Sequence, residues 1–383
     1  MVLRSSAPQA RGLRAAHPRA ARPPRRGSRA AAEVAAPPAA ETRTQRAFRE
    51  LDARGSGGAQ AGGAGGGTTY AALRRADAAW LDMRTRTAYG PRPDFVRATE
   101  APLPARPGLD VAVAGGTLGI FLAAALQSAG LRVAVVEAGP LAGRAQEWNC
   151  SRAELAELVK AGALSGADAE ACIAAEFNPV RVAVAGGPEV WTRDVLNLGV
   201  APARLVAAAR ARFEAAGGLV VERAPLTAVW VHPNGVQLRL AGDGAGGAGE
   251  RALAARLLVD AMGNGSPIAR QARHGRRPDG VCAVVGSCAR GFDPSRNVTG
   301  DVLVTLAGSE PPRTSAAASA SASASASASA SASASGAAEP LANCQLFFEA
   351  FPAGSGPGDR TTYMFSYLDA HPARPSLEAL FEA

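Results

Sequence analysis

Gly115, Gly116, Thr117, Gly119 and Glu137 are the residues whose types and spacing point most directly to chemistry. A turn built from glycines lets main-chain N–H groups approach a pyrophosphate where a Cβ would stand in the way. An acid at the end of the following strand can accept hydrogen bonds from ribose hydroxyls, and it disfavours a ribose carrying a 2′-phosphate. Gly116 and Gly119 fill the second and third positions of a G-x-G-x-x-G fingerprint, with Ala114 in the first. The chemistry implied is the holding of a dinucleotide.

The elements that must position these residues are legible around them. Residues 111–114 form a short apolar run, 120–129 a helix that points unpaired N–H groups and its positive dipole end at the turn, and 132–136 a second apolar strand. Gly130 stops the helix. A second motif follows much later: residues 253–260 read as a buried strand running into Ala261, Met262, Gly263, Asn264, Gly265 and Ser266, before a helix over 268–273. An opening unit, a detour and a return strand ending in a small-residue turn is the layout of a nucleotide-binding α/β domain. Asp260 has a competing reading as a strand-end acid that caps the next turn.

Elsewhere, residues 70–84 show helical spacing through Leu73, Ala76, Trp80 and Leu81, and this helix is expected to cover the nucleotide domain. Ser151 and Glu154 form a capping-box pattern, and residues 203–216 a helix closed by Gly217 and Gly218. Residues 226–232 and 236–240 flank Pro233-Asn234-Gly235 as a hairpin. Residues 299–306, 344–351 and 361–368 alternate as strands of a second, largely antiparallel sheet. The Ser-Ala repeat over 315–335 carries too little apolar surface to offset ordering entropy and reads as a disordered insertion, bounded at 313–338. Residues 33–67 have a polar, then glycine-rich linker composition that is not expected to pack, with order beginning near Thr68.

Charge and composition exclude several classes. The chain has 383 residues with 41 basic and 33 acidic side chains, and eight of the arginines fall in residues 1–32, ahead of the first acid, Glu33. That Arg-rich, acid-poor segment reads as an organelle transit peptide, plastid or mitochondrial. Setting it aside leaves 33 charges of each sign, so no basic face for nucleic acid is expected. The apolar run 111–126 is too short for a membrane helix and contains the glycine turn. Cys150, Cys172, Cys282, Cys288 and Cys344 are scattered and odd in number, which argues against a disulfide scaffold; Cys282 and Cys288 read as strand cysteines rather than a redox pair. The four histidines are isolated, so no metal-ligand cluster is expected.

Together the opening motif, Glu137 and LLVDAMGNGSPIARQ resemble FAD-dependent oxidoreductases of the group containing aromatic hydroxylases, geranylgeranyl reductases and lycopene cyclases. EWNCSR, FNPVRVA, LNLGV and EAFPAGSGPGDRTTYMFSYLD resemble more narrowly a plant and algal branch described as lycopene cyclase-like. The resemblance implies an α/β, Rossmann-like FAD-binding domain over residues 68–280 and a partial substrate domain over 281–383. It implies that Gly115, Gly116, Thr117 and Gly119 hold the FAD pyrophosphate, Glu137 the ribose, and residues 224–226 the adenine edge, with Arg144 near the phosphates or flavin and Asp260, Gly263 and Asn264 beside the cofactor. An apolar small-molecule substrate, a nicotinamide electron donor and a chloroplast setting are implied with it, and Trp148, Arg360, Tyr363 and Tyr367 are candidates for the substrate pocket. The activity expected is a monooxygenase or reductase; a lycopene cyclase-like isomerase and a noncatalytic scaffold are the alternatives. This group usually carries a later Gly-Asp pair whose acid binds the ribitol, and the pairs beginning at Gly242, Gly300 and Gly358 lack its strand-to-helix context. A truncated gene model or an incomplete flavin site, and weak or absent flavin binding, are expected on that ground.

Overall fold

The computed structural model describes residues 41–53, 69–86, 90–242, 251–306, 341 and 344–383. The transit-peptide reading, most of the linker and the Ser-Ala insertion lie outside these residues. In chain order the elements are α1 (Arg43–Ala53), α2 (Tyr70–Thr85), β1 (Val96–Ala98), β2 (Leu109–Ala114), α3 (Gly119–Ser128), β3 (Val133–Val136) and β4 (Trp148–Cys150). Then come α4 (Arg152–Lys160), α5 (Gly166–Ala171), β5 (Ile173–Glu176), β6 (Val180–Val184), β7 (Glu189–Thr192), β8 (Leu198–Val200), α6 (Pro202–Ala215) and β9 (Leu219–Val221). The remainder is β10 (Leu226–His232), β11 (Gly235–Leu240), β12 (Arg251–Asp260), α7 (Pro267–Ala272), β13 (Gly280–Arg290), β14 (Gly300–Val304), β15 (Phe347–Pro352), β16 (Asp359–Asp369) and α8 (Leu377–Glu382).

The apolar runs of β2 and β3 become buried strands, whereas β12, read as buried, is buried only at Ala255 and leaves Leu257 exposed. Val111 to Ala114 of β2 and all of β3 are buried, as parallel strands covered on both faces must be. The first sheet has the order β1-β10-β11-β12-β2-β3-β9, and β12, β2, β3 and β9 run parallel. The chain thus moves outward from β2 through β3 to β9 and returns on the other side of β2 as β12. That reversal creates a switch point outside the carboxyl ends of β2 and β12, where an open α/β sheet binds its ligand. One face is closed by α3 and α6, with Ile120, Ala123, Leu205 and Phe213 packed on Val111, Val113, Val133 and Val135. Gly119 allows the close approach of α3, since a Cβ there would lie 2.7 Å from Val113 Cγ1.

The second sheet has the order β13-β16-β15-β14-β6-β7 and is antiparallel except where β14 joins β6. Strands β6 and β7 reach it from the detour between β3 and β9. One face carries Ala283, Val285, Leu346, Met364 and Leu368 and is buried beneath Trp80 of α2 and Leu380 of α8. This places α2 on the second sheet rather than over the nucleotide domain, because Trp80 Nε1 donates to Pro375 O at 2.8 Å and Asp77 accepts the Leu377 and Glu378 N–H groups at the start of α8. Packing also reaches into the stretch read as a linker: α1 docks on α8, where Glu382 accepts from Thr44 N at 2.6 Å and Phe48 meets Phe381 edge-on. The amphipathic spacing of Phe48 and Thr44 was diluted by the surrounding glycine-rich composition.

Candidate functional site

At the carboxyl end of β2, Gly115 has φ +97, a conformation that favours glycine, and its N–H donates to Val136 O at 2.8 Å. A side chain on Gly115 would strike the Ala261 carbonyl oxygen, so the turn after β2 and the turn after β12 are in contact at the switch point. Ala261 N also donates to Ala114 O at 2.7 Å. The Gly116 N–H donates to Glu137 Oε2 at 2.7 Å, and the Gly139 N–H to Oε1 at 3.1 Å. Glu137 is therefore drawn back over the glycine turn, each oxygen holding one N–H and keeping capacity to accept another hydrogen bond. The N–H groups of Thr117, Leu118 and Gly119 donate to no acceptor among the described residues, since the hydrogen bonds of the turn begin again with Ile120 N to Gly116 O. Three unpaired donors at a helix N-terminus beside a carboxylate are a donor and acceptor set of the kind that a diphosphate joined to a ribose requires.

Gly116 earns its place by a different contact from the one its position in the motif implies. A Cβ on Gly116 would lie 2.8 Å from Leu141 Cδ1 and 3.3 Å from Glu137 Oε2, so the glycine makes room for the loop after β3. The adenine edge expected at residues 224–226 does adjoin the acid: Ala224 N donates to Glu137 O at 3.0 Å and Arg223 N to Gly139 O at 3.2 Å.

The return-strand residues behave otherwise. Asp260 accepts from Met262 N at 3.0 Å and from the Ser266 hydroxyl, closing its own turn as the capping reading requires. Gly263, at φ +68, and Asn264 are exposed, and a Cβ on Gly263 would meet open space. They line the rim of the switch point. Arg144 lies farther along, held by Gln146 O at 3.0 Å, Glu147 O at 3.2 Å and the Tyr363 hydroxyl at 3.2 Å. It joins the loop after β3 to β16 of the second sheet. Tyr363 donates in turn to Glu147 O at 3.0 Å, and burial pushes its phenol up while Arg144 opposes the shift. Glu147 Oε1 accepts from Gly354 N at 2.8 Å and its Oε2 is buried with no partner; burial raises this carboxyl above the ordinary range.

Of the pocket candidates, Trp148 packs half-buried on the first core. Arg360 is buried and clamps Asp301 at 2.9 Å and the Thr299 and Ala350 carbonyls, so it is neither a pocket side chain nor a solvated loop charge. Tyr367, 69% exposed, stands on the open face of the second sheet. Cys282 and Cys288 are six positions apart on β13, too far for a disulfide. An open depression bounded by Asp110, Leu131, His232 and Arg256 lies at the opposite, amino end of β2 beside the middle of β12, where Arg132 and Arg256 already neutralise Asp110.

No protein-family model matches the chain, and no curated protein does. Among solved structures it is similar to a flavoprotein/dehydrogenase from Cytophaga hutchinsonii at 14% identity and TM-score 0.46, over 67% of this chain and 55% of that one. It is also similar to a geranylgeranyl bacteriochlorophyll reductase-like protein from Thermoplasma acidophilum, at 15% identity and TM-score 0.42 over 71% and 57% of the two chains. A probable FAD-dependent monooxygenase from Pseudomonas aeruginosa matches at 16% identity and TM-score 0.41 over 68% and 60%. The chain spans little more than half the length of these proteins. Among the described residues no helix is long and apolar enough to cross a membrane, and no cluster of metal-ligating side chains occurs.

Proposed function

We propose that the chain is an FAD-dependent oxidoreductase acting on an apolar or aromatic small molecule in a plastid, with a nicotinamide cofactor as electron donor. The observation that carries this reading is the turn after β2, where three unpaired N–H groups face the switch point and Glu137 is anchored beside them. Thr117, Leu118 and Gly119 would bind the diphosphate through main-chain N–H groups, and Glu137 would accept the ribose hydroxyls. Bound FAD would supply hydride or electron transfer. The chain's own residues would orient the substrate and exclude water: the second sheet presents an apolar face, and the Arg144–Tyr363–Glu147 contact fixes that sheet against the loop leaving the nucleotide turn. The arginine-rich, acid-poor composition of residues 1–32 supports an organelle setting, and the resemblance to the plant and algal branch favours the plastid.

A second reading, a nucleotide-binding fold without a flavin reaction, is favoured by the fate of the Gly-Asp pairs. Asp301 is held by Arg181 and Arg360, and Asp359 by the Ser355 hydroxyl and Arg290, so neither acid is available for a ribitol; Asp243 lies outside the described residues. The test is the visible absorption spectrum of the purified protein after incubation with FAD and removal of the free cofactor. A flavin band bleached anaerobically by NADH or NADPH supports the first reading, with weak occupancy expected because neither Asp301 nor Asp359 is free for the ribitol. Binding of ADP-ribose without FAD would support the second reading, and binding of neither would overturn both.

A further inference from the structure

Glu349 stands in the middle of the open face of the second sheet, among large apolar side chains, while Asp369 at the end of β16 on that face is paired with Arg374. On that face its cross-strand neighbours are Val302 of β14 and Tyr363 of β16, and Phe347 precedes it by two positions on its own strand. Phe347 stacks on Phe365 with centroids 5.1 Å apart, and Tyr367 meets both edge-on. The face is open because alternate residues point away from the helices: Val284 is 47% exposed while its neighbours Ala283 and Val285 are buried. Large apolar side chains left together in this way mark a binding surface.

Within that surface the Glu349 carboxylate accepts no hydrogen bond and forms no ion pair with the described residues, and burial alone pushes its proton affinity up. The groups facing it are Tyr363 of β16, Cys282 and Cys288 of β13, and, beyond Tyr363, Arg144 and Glu147 of the loop after β3. Tyr363 gives its one donor to the Glu147 carbonyl, and Arg144 turns Nε and Nη2 to the Gln146 and Glu147 carbonyls and the Tyr363 hydroxyl, with no ion pair to Glu349. Val302 brings no charge from β14, whose Asp301 points to the other face with Arg181 and Arg360. A half-buried carboxylate without a counter-ion is costly, and a ligand cation relieves that cost as a neutral hydroxyl cannot.

We propose that Glu349 selects ligands bearing an ammonium group on an apolar ring framework, the rings resting on Phe347 and Phe365 and the ammonium pairing with the carboxylate. This rests on the reading of the open face as the substrate floor. The test is equilibrium binding of 1-naphthylmethylamine, 1-methylnaphthalene and 1-naphthoate to the full chain. Near neutral pH the amine should bind roughly tenfold or more tighter than the hydrocarbon, the scale of a hydrogen bond to a charged group, and the naphthoate weaker than either. Glu349→Gln should remove that preference while hydrocarbon binding, the control for an intact face, is unchanged; Glu349→Leu should do the same. Acidification should weaken amine binding to the wild type, as the carboxylate takes up its proton, but not to the Gln variant. Equal binding of amine and hydrocarbon, or an amine preference that survives Glu349→Gln, overturns the role of Glu349 and leaves the floor intact. Failure of all three probes to bind overturns the floor and, with it, this inference.

Discussion

Two acids end neighbouring regions of the first sheet, and they do opposite things. Glu137, after β3, reaches to main-chain donors on a different element, and the turn it holds keeps three N–H groups unspent. Asp260, the last residue of β12, satisfies the donors of its own turn. Position at a strand's carboxyl end therefore does not make an acid a ligand group. What separates the two is where the donors lie: Glu137 ties its own loop to the glycine turn of another strand, whereas both donors to Asp260 belong to the turn that it begins.

Replacing Gly115 by Val should have the largest effect, because it imposes a side chain at φ +97 and drives it into the Ala261 carbonyl that joins the two turns. A loss of more than about 2 kcal/mol in urea unfolding is expected, with no retained flavin. Glu137→Ala should raise the dissociation constant for FAD roughly tenfold to hundredfold, the scale of hydrogen bonds to a charged group, in a protein that remains folded by circular dichroism. Asp260→Ala should cost about 1 kcal/mol of stability, as loss of a cap does, with flavin affinity changed less than about twofold. Equal flavin losses in these two variants would erase the distinction between the acids. The smallest effect concerns Glu147. Its folded-state carboxyl is raised by burial, so the folded chain keeps a proton that the unfolded chain has released, and stability falls as pH rises from the ordinary glutamate range through the raised one. Glu147→Gln should flatten that slope in denaturation midpoints measured across the acidic range.

The unit of β2, its glycine turn, α3 and β3 was legible because each level agreed: apolar runs of strand length, glycines where φ and close packing demand them, and an acid at the next strand's end. Gly115, Gly119 and Glu137 stand where their spacing implied. Asp260 was ambiguous from sequence because a capping acid and a ligand acid share one position, and only the partner Ser266 decides. Short strands such as β4 and β8 carry too few residues for periodicity to register, and the docking of α1 and α2 on α8 depends on contacts some 300 residues apart in the chain. Glu349 left a visible signal, an acid inside the aromatic run Phe347–Pro352, but its isolation is a property of β14 and β16 as much as of its own strand.

The parallel pairing of β6 with β14 sets an order of events during synthesis. Residues 180–184 leave the ribosome well before residues 300–304 exist, so the hairpin of β6 and β7 must wait with one hydrogen-bonding edge unmet. For that interval the edge carrying Val182 and Val184 is open to mispairing, which the late arrival of β14 ends.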